Sequence, residues 1–183
     1  MDMSPMKTKK MTDAERRSVA FHEAGHMAMI YWRSESLHER RGALHTDRHG
    51  GSTHVRLFDC TVWDLMVLVG GPMAEFLSMG IEPKVPLLFR IEYRDANSDS
   101  TRIRNLVKKL RGGKDDRIYL FKVQGCCREL IQEPRMWRAV TTIAERLVAN
   151  NEISGEECEE IFKMCSAPQF FDDPDRYPGI QQA

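Results

Sequence analysis

Apolar residues recur every three or four positions along most of the chain, which predicts a mainly helical protein. The first helical pattern follows a capping-box sequence at 12–15 and continues to about Arg33. A second begins near Thr61 and contains two adjacent glycines, Gly70 and Gly71. Each glycine inside a helix costs about 1 kcal/mol relative to alanine. The pair therefore indicates either a close approach of another backbone or a break between two shorter helices.

The C-terminal half of the chain carries four further helical patterns. The third predicted helix runs from Ser98 to Arg111, where a glycine pair stops it. A less regular pattern at 116–131 predicts the fourth helix, and Pro134 opens a fifth with a clear apolar face. A second capping-box sequence at 154–157 predicts the start of the sixth.

One segment departs from the helical pattern. Residues 43–46 and 52–58 are strand-like, and the glycine-containing stretch 47–51 between them predicts a turn. The expected fold is therefore mainly α (α+β), with a small β-hairpin or sheet beside the helices. The chain is divided into a disordered lead at 1–11, one domain at 12–166 and an extended tail at 167–183.

Charge and composition narrow the possible functions. The 27 Lys and Arg residues equal the 27 Asp and Glu residues in number, which argues against a general nucleic-acid binder. The sequence contains no apolar run of about 18 residues and no signal-peptide pattern, so neither a membrane span nor export is expected. The odd number of cysteines predicts reduced thiols in a cytoplasmic protein. These are Cys60, Cys126, Cys127, Cys158 and Cys165.

The motif HExxH at 22–26 lies inside the first predicted helix. His22 and His26 are four residues apart, so their rings project from one helix face and can bind one metal ion. A bound zinc lowers the pKa of its water to about 7, and Glu23 can accept the proton of that water. The alternative is two surface histidines on an amphipathic helix. The apolar residues that flank the motif favour the metal site.

A catalytic zinc usually has three protein ligands, and the motif supplies two. The candidates for the third are Glu75, just after the glycine pair, and Asp99, in the first turn of the third helix. Glu75 could equally be a solvated charge, and Asp99 an ordinary carboxylate at a helix start. Spacing alone does not choose between them. The remaining histidines, interpreted mostly as exposed loop residues around the hairpin, are His38, His45, His49 and His54.

The HExxH segment at 19–26 resembles the HEAGH helix of the M41 peptidases, the proteolytic domain of the FtsH family of membrane-anchored AAA+ proteases. Residues 68–75 resemble the LGGRxAE segment of that family, and residues 96–99 resemble its A-S-N-D segment. Residues 143–147 through 154–157 resemble its final helix pair. The four segments occur in the order of the family and cover roughly residues 14–165.

The resemblance implies a role for each matching residue. His22, His26 and Asp99 would bind zinc, and Glu23 would be the general base. Glu75 would orient a histidine ring through its distal nitrogen.

The strand-like segment at 43–58 corresponds to the strand of the family beside its active site. An edge strand there could bind an extended peptide by strand addition. The candidate substrate-binding residues are Ser52, Thr53, His54 and Val55.

Several positions depart from the family pattern. Pro72 replaces the usual arginine, Phe76 replaces a second acidic residue, and Arg94-Asp95 replaces a Thr-Gly pair. The spacer at 81–92 also differs. These changes leave the metal-binding residues in place, but the substrate preference of the family does not transfer.

The expected function is an ATP-independent zinc metalloendopeptidase that cleaves flexible or unfolded polypeptides. The segment 112–114 lacks the spacing of a GxxxxGK[ST] phosphate loop, so ATP hydrolysis is not expected. A homo-oligomer and a separate unfoldase are possible partners. The alternatives are a non-catalytic zinc-binding interaction module, which the intact Glu23 disfavours, and a helical regulatory domain without metal.

Overall fold

The computed structural model describes residues 11–33, 37, 41–45, 50–53, 61–82, 98–114 and 116–169. Within these ranges the chain forms six helices and three short strands, which confirms the predicted fold class. The helices are α1 (Asp13–Trp32), α2 (Val62–Ser78), α3 (Asp99–Leu110), α4 (Arg117–Gln132), α5 (Pro134–Asn150) and α6 (Gly155–Met164). The strands are β1 (Arg41–His45), β2 (Gly50–Thr53) and β3 (Glu152–Ser154).

Side-chain caps fix where the helices begin. The Thr12 hydroxyl accepts a hydrogen bond from the Glu15 backbone N–H at 3.2 Å, and the Glu15 carboxylate accepts one from the Thr12 N–H at 2.7 Å. Thr61 and Asp64 form the same reciprocal pair at the start of α2. Each box satisfies backbone donors that a helix start otherwise leaves unpaired. Ser98 caps α3, which makes Asp99 its first residue.

The glycine pair lies within one continuous helix, so it marks a close approach and not a break. A Cβ atom on Gly70 would lie 2.4 Å from Met29 Cγ, and one on Gly25 would lie 2.3 Å from the Gly70 carbonyl oxygen. Only glycines permit this separation between α1 and α2. These two helices share the most extensive helix contact in the described chain.

The helix α1 lies at the centre of the helical packing. It contacts α2 and α5, where the Phe21 and Trp137 rings stack with centroids 5.5 Å apart. Tyr31, near the end of α1, stacks on Phe162 of α6 at 4.5 Å. The helix α4 packs on α2 and α5, and α3 packs on α2. None of the helices within the described ranges has the length and apolar character needed to cross a membrane.

The three strands form an antiparallel sheet in the order β2-β1-β3, with β2 at an edge. The sequence did not predict β3, which pairs Ile153 with Gly42. The predicted turn was also wrong in part, because Gly50 and Gly51 lie inside β2. His45 belongs to β1 and not to a loop. The predicted strand residues 54–58 and the turn residues 46–49 lie outside the described ranges.

Candidate metal centre

Asp99 lies against both histidines of the HExxH motif. Its Oδ2 atom is 2.9 Å from His22 Nε2 and 3.1 Å from His26 Nε2. The two rings project side by side from α1, with centroids 4.8 Å apart and planes at 77°. The first residue of α3 thus reaches the face of α1 that carries the motif. The three ligand atoms all lie within 4.8 Å of one another.

Hydrogen bonds at the other ring nitrogens set the orientation of both histidines. His26 Nδ1 is 2.7 Å from the Val67 carbonyl oxygen, and His22 Nδ1 is 2.9 Å from Glu75 Oε2. A carbonyl and a carboxylate only accept hydrogen bonds, so both Nδ1 atoms carry a proton and donate it. In the neutral rings, both Nε2 atoms then present lone pairs toward Asp99. This is the tautomer that a metal ligand of this kind requires.

The donor set fits a divalent transition metal such as zinc. Two imidazole nitrogens and one carboxylate oxygen make three protein ligands, as catalytic zinc sites typically have. Tetrahedral bonds of about 2.0–2.1 Å separate neighbouring ligand atoms by about 3.3 Å. The two separations from Asp99, 2.9 and 3.1 Å, are close to that value, and no pair of ligand atoms is more than 4.8 Å apart. Three electron-pair donors around one point repel one another unless a cation lies among them.

The pKa values of His22 and Asp99 also favour a positive charge among the three ligand atoms. Burial by itself lowers the pKa of His22, but hydrogen bonds to Asp99 and Glu75 outweigh it and raise the pKa to about 10. Burial acts to raise the pKa of Asp99, yet the charges and hydrogen bonds of the two histidines keep it well below its usual range. A proton on His22 therefore occupies the place that a metal ion would take.

Glu75 connects α2 to the first histidine. Its Oε1 atom accepts a hydrogen bond from the Ser18 hydroxyl at 2.6 Å, while Oε2 accepts from His22. Burial acts to raise the pKa of Glu75, but the contact with His22 outweighs it and lowers that pKa. With both oxygens bonded, Glu75 differs from a solvated charge. It lies where a residue that orients a ring must lie.

Glu23 contacts the sheet through its side chain. Its side chain is buried, and Oε2 accepts a hydrogen bond from the Thr53 hydroxyl at 2.6 Å. Its charge contributes to the raised pKa of His22, which is consistent with a position beside the metal ligands. A carboxylate next to the ligands could accept a proton from water that a bound metal would activate.

The second glycine of the pair serves the site directly. A Cβ atom on Gly71 would lie 2.4 Å from His26 Nε2 and 2.5 Å from its Cε1 atom. No side chain larger than hydrogen leaves room for the ring in this position. The sequence predicted a close approach of backbone at this pair, and at Gly71 the close neighbour is an imidazole ring.

Three groups that support the ligands were not predicted from the sequence. These are Ser18, the Val67 carbonyl and Arg102, whose Nη1 atom lies 3.7 Å from Asp99 Oδ1. Two of them have a signal in the sequence, since Ser18 lies four residues before His22 and Arg102 three residues after Asp99, on shared helix faces. The Val67 carbonyl has no such signal, because every residue carries a backbone carbonyl group.

Several predicted residues lie outside the described ranges or are described only in part. The residues outside are His38, His49, His54, Val55, Cys60, Arg94 and Asp95. Only the backbone of His45 is described, so the histidines around the hairpin stay predictions. Pro72 and Phe76 lie in α2, and nothing in their placement bears on substrate preference.

No protein-family model matches the chain, and no curated protein shows significant similarity to it. The resemblance to the M41 peptidases therefore stays a prediction from four sequence segments. The geometry of the site, by contrast, is independent of that resemblance and is the basis for a functional proposal.

Proposed function

We propose that the protein is a zinc metalloendopeptidase that hydrolyses peptide bonds in flexible or unfolded polypeptides without ATP. One observation carries the proposal. Both Nε2 atoms of the HExxH histidines converge on Asp99 Oδ2, and the remaining motif residue, Glu23, is a buried carboxylate on the same helix. This combination supports hydrolysis more strongly than metal storage or purely structural metal binding, because a structural site uses no adjacent base.

Each residue of the proposed site has its own role in the reaction. His22, His26 and Asp99 would hold the metal, while Glu75 and the Val67 carbonyl keep the rings oriented. Zinc, when bound there, supplies an electrophile that polarises the peptide carbonyl and lowers the pKa of water to about 7. The Glu23 carboxylate accepts a proton from the attacking water and returns it to the nitrogen of the leaving amine. The peptide C–N bond breaks and the water oxygen ends in the new carboxyl group.

An extended substrate could bind along the strand β2. This strand lies at the edge of the sheet and contacts α1, and its residue Thr53 contacts Glu23. A polypeptide that added to this edge as a further strand would run close to the base. Ser52 and Thr53 are the described members of the predicted substrate-binding set. Strand addition uses backbone hydrogen bonds, which suits cleavage of many different unfolded sequences.

We further place this activity in the cytoplasm, with a homo-oligomer or a separate unfoldase as possible partners. The cysteines support the compartment, since the four that the structure describes are free thiols. Two of them, Cys127 and Cys158, are buried and inaccessible to disulfide exchange.

The proposal is tested by measuring zinc content and cleavage of unfolded casein in the absence of nucleotide. We expect about one zinc per chain in the wild type. Glu23→Gln should keep the zinc and lose on the order of 10²–10⁴-fold in turnover. Asp99→Ala should lose the zinc as well as the activity. Glu145→Gln, the same substitution at an exposed position of α5, is the matched control and should change neither quantity.

The result that contradicts the proposal is equally specific. A wild-type protein that binds one zinc but cleaves neither casein nor a broad peptide library is not a peptidase, and a non-catalytic zinc-binding module would replace it. A protein that binds no zinc, and whose stability is unchanged by His22→Ala, would support a metal-free helical domain.

A further inference from the structure

The carboxylate of Glu23 accepts a hydrogen bond from a residue of the sheet, Thr53 of β2. Thr53 Oγ1 lies 2.6 Å from Glu23 Oε2 and 3.3 Å from the backbone carbonyl oxygen of the same residue. A carboxylate only accepts hydrogen bonds, so the hydroxyl is the donor. At 2.6 Å the bond has the length of a charge-assisted hydrogen bond. One hydroxyl group of β2 is thus directed at the side chain and at the helix backbone of the proposed base.

The same strand fits closely around the rest of that carboxylate. Gly51 lies two residues before Thr53, on the same face of β2. A Cβ atom on Gly51 would lie 2.7 Å from Glu23 Oε1 and 2.8 Å from both Glu23 Cγ and Val19 Cγ1. The strand therefore supplies a donor to one oxygen and lacks a side chain where the other oxygen lies. Only 4% of the Glu23 surface is exposed.

We propose that Thr53 is a positioning residue for the peptidase reaction. Its hydroxyl donates to Glu23 Oε2 and so holds the carboxylate of the proposed base in one orientation. The inference rests on the proposed function, because it assigns Thr53 a task in that reaction. A glutamate has three side-chain torsions, and a base that is held in one orientation avoids the loss of entropy that ordering would otherwise require at each turnover.

A second hydroxyl–carboxylate pair in the site provides a contrast. The Ser18 hydroxyl donates to Glu75 Oε1 at 2.6 Å, the same distance as in the Thr53–Glu23 pair. However, Glu75 contacts His22, a metal ligand, while Glu23 is the proposed base. Loss of the Ser18 hydroxyl should therefore weaken metal binding, and loss of the Thr53 hydroxyl should lower turnover. The two pairs have the same chemistry and different measurable consequences.

The test measures steady-state cleavage of an unfolded peptide substrate together with zinc content. Thr53→Val removes the hydroxyl and keeps the shape and the β-branched side chain that suits a strand. We expect kcat to fall by about 10–100-fold, the usual effect of removing a supporting hydrogen bond, with KM within about twofold and zinc content unchanged. Thr53→Ser keeps a hydroxyl and should restore most of kcat. Ser18→Ala should raise the Kd for zinc. Thr142→Val is the matched control, because the Thr142 hydroxyl donates to the Arg138 carbonyl within α5, and this substitution should leave kcat unchanged.

Three results would overturn the inference. The first is an unchanged kcat in Thr53→Val, and the second is an equal loss in Thr53→Ser. The third is a loss of zinc or of the folded state in both Thr53→Val and Thr53→Ala, which would show a structural role only. An inactive but zinc-loaded wild type refutes the peptidase and this inference together, whereas an active wild type with an unaffected Thr53→Val refutes the inference alone.

Discussion

Gly25 of α1 lies against Gly70 of α2, so the two helices cross at two residues without side chains. A Cβ atom on Gly25 would lie only 2.3 Å from the carbonyl oxygen of Gly70. The next residue along each helix meets its counterpart in the same way, because His26 lies over Gly71. The crossing that packs the core therefore also fixes a proposed metal ligand. The packing of the two helices and the proposed metal binding therefore depend on neighbouring contacts, and substitutions at Gly25 and Gly71 can separate the two effects.

Gly25→Ala should destabilise the fold. The added methyl group would meet the Gly70 backbone and Ala74 Cβ, which cannot move independently of α2. Overpacking of this kind costs about 1–3 kcal/mol in the free energy of unfolding, measured by urea denaturation. Gly125→Ala is the control, because a Cβ atom there meets nothing within 4 Å and α4 should gain roughly 0.5–1 kcal/mol. Equal effects at the two glycines would contradict the helix crossing.

Gly71→Ala should reduce zinc binding more than it reduces stability. A methyl group 2.4 Å from His26 Nε2 would displace the ring from Asp99. Since Nε2 is the proposed ligand atom, we expect the Kd for zinc to rise by at least about tenfold. Isothermal titration with zinc measures this directly, and thermal denaturation of the metal-free variant reports the cost to the fold. A variant with normal zinc affinity would show that His26 does not bind the metal through Nε2.

Zinc affinity should keep rising with pH well above neutrality. The pKa of His22 in the metal-free protein is raised to about 10, so a proton competes with zinc throughout the range from pH 7 to 9. We expect about a tenfold increase in affinity per pH unit there, whereas a histidine with an ordinary pKa of about 6.5 would give none. Chelator competition at pH 7, 8 and 9 measures the slope, with corrections for the chelator and for zinc hydrolysis.

The raised pKa of His22 also predicts how the stability of the metal-free protein depends on pH. A raised pKa means that protonated His22 stabilises the folded state, fully below pH about 6.5 and progressively less as the pH rises through about 10. Glu75→Gln removes one of the partners that raise this pKa and should flatten the pH dependence of zinc affinity. A flat dependence in the wild type would contradict the proposed proton between His22 and Asp99.

Buried thiols should resist alkylation in the folded protein. Burial raises the pKa of Cys158 to about 12, and it raises the pKa of Cys127 well above its usual range. Thiolate is the reactive form, so both residues should stay unmodified by iodoacetamide at pH 8 and react only in denaturant. Peptide mass spectrometry locates the label. Modification of Cys127 in the native protein, at the rate seen in denaturant, would contradict its burial against α2.

Local chemistry explains which features were predictable from the sequence. The starts of α1 and α2 depend on hydrogen bonds between residues three apart, so their capping boxes are visible in the sequence. The pairing of His22 with His26 follows from helix geometry alone. These features need no knowledge of how distant segments pack. The capping box of α1 and the start of α2 near Thr61 were predicted at the right positions, whereas the Thr61–Asp64 box itself was not predicted.

Features that depend on distant contacts were left open or missed. Spacing could not choose between Glu75 and Asp99, because that choice depends on how α3 packs against α2 and α1. The glycine pair allowed two interpretations until the crossing with Gly25 was known. The bond from Thr53 to Glu23 depends on the register of β2, and a shift of one residue would turn that hydroxyl to the other face.

The pairing of β3 with β1 has a consequence for the order of events during synthesis. Residues 152–154 join β1, β1 pairs with β2, and β2 carries the hydroxyl that bonds Glu23. The support of the base is therefore complete only after the ribosome has released the segment that follows α5. In the proposed peptidase, a nascent chain would therefore lack the Thr53–Glu23 support until residues 152–154 are available to pair with β1.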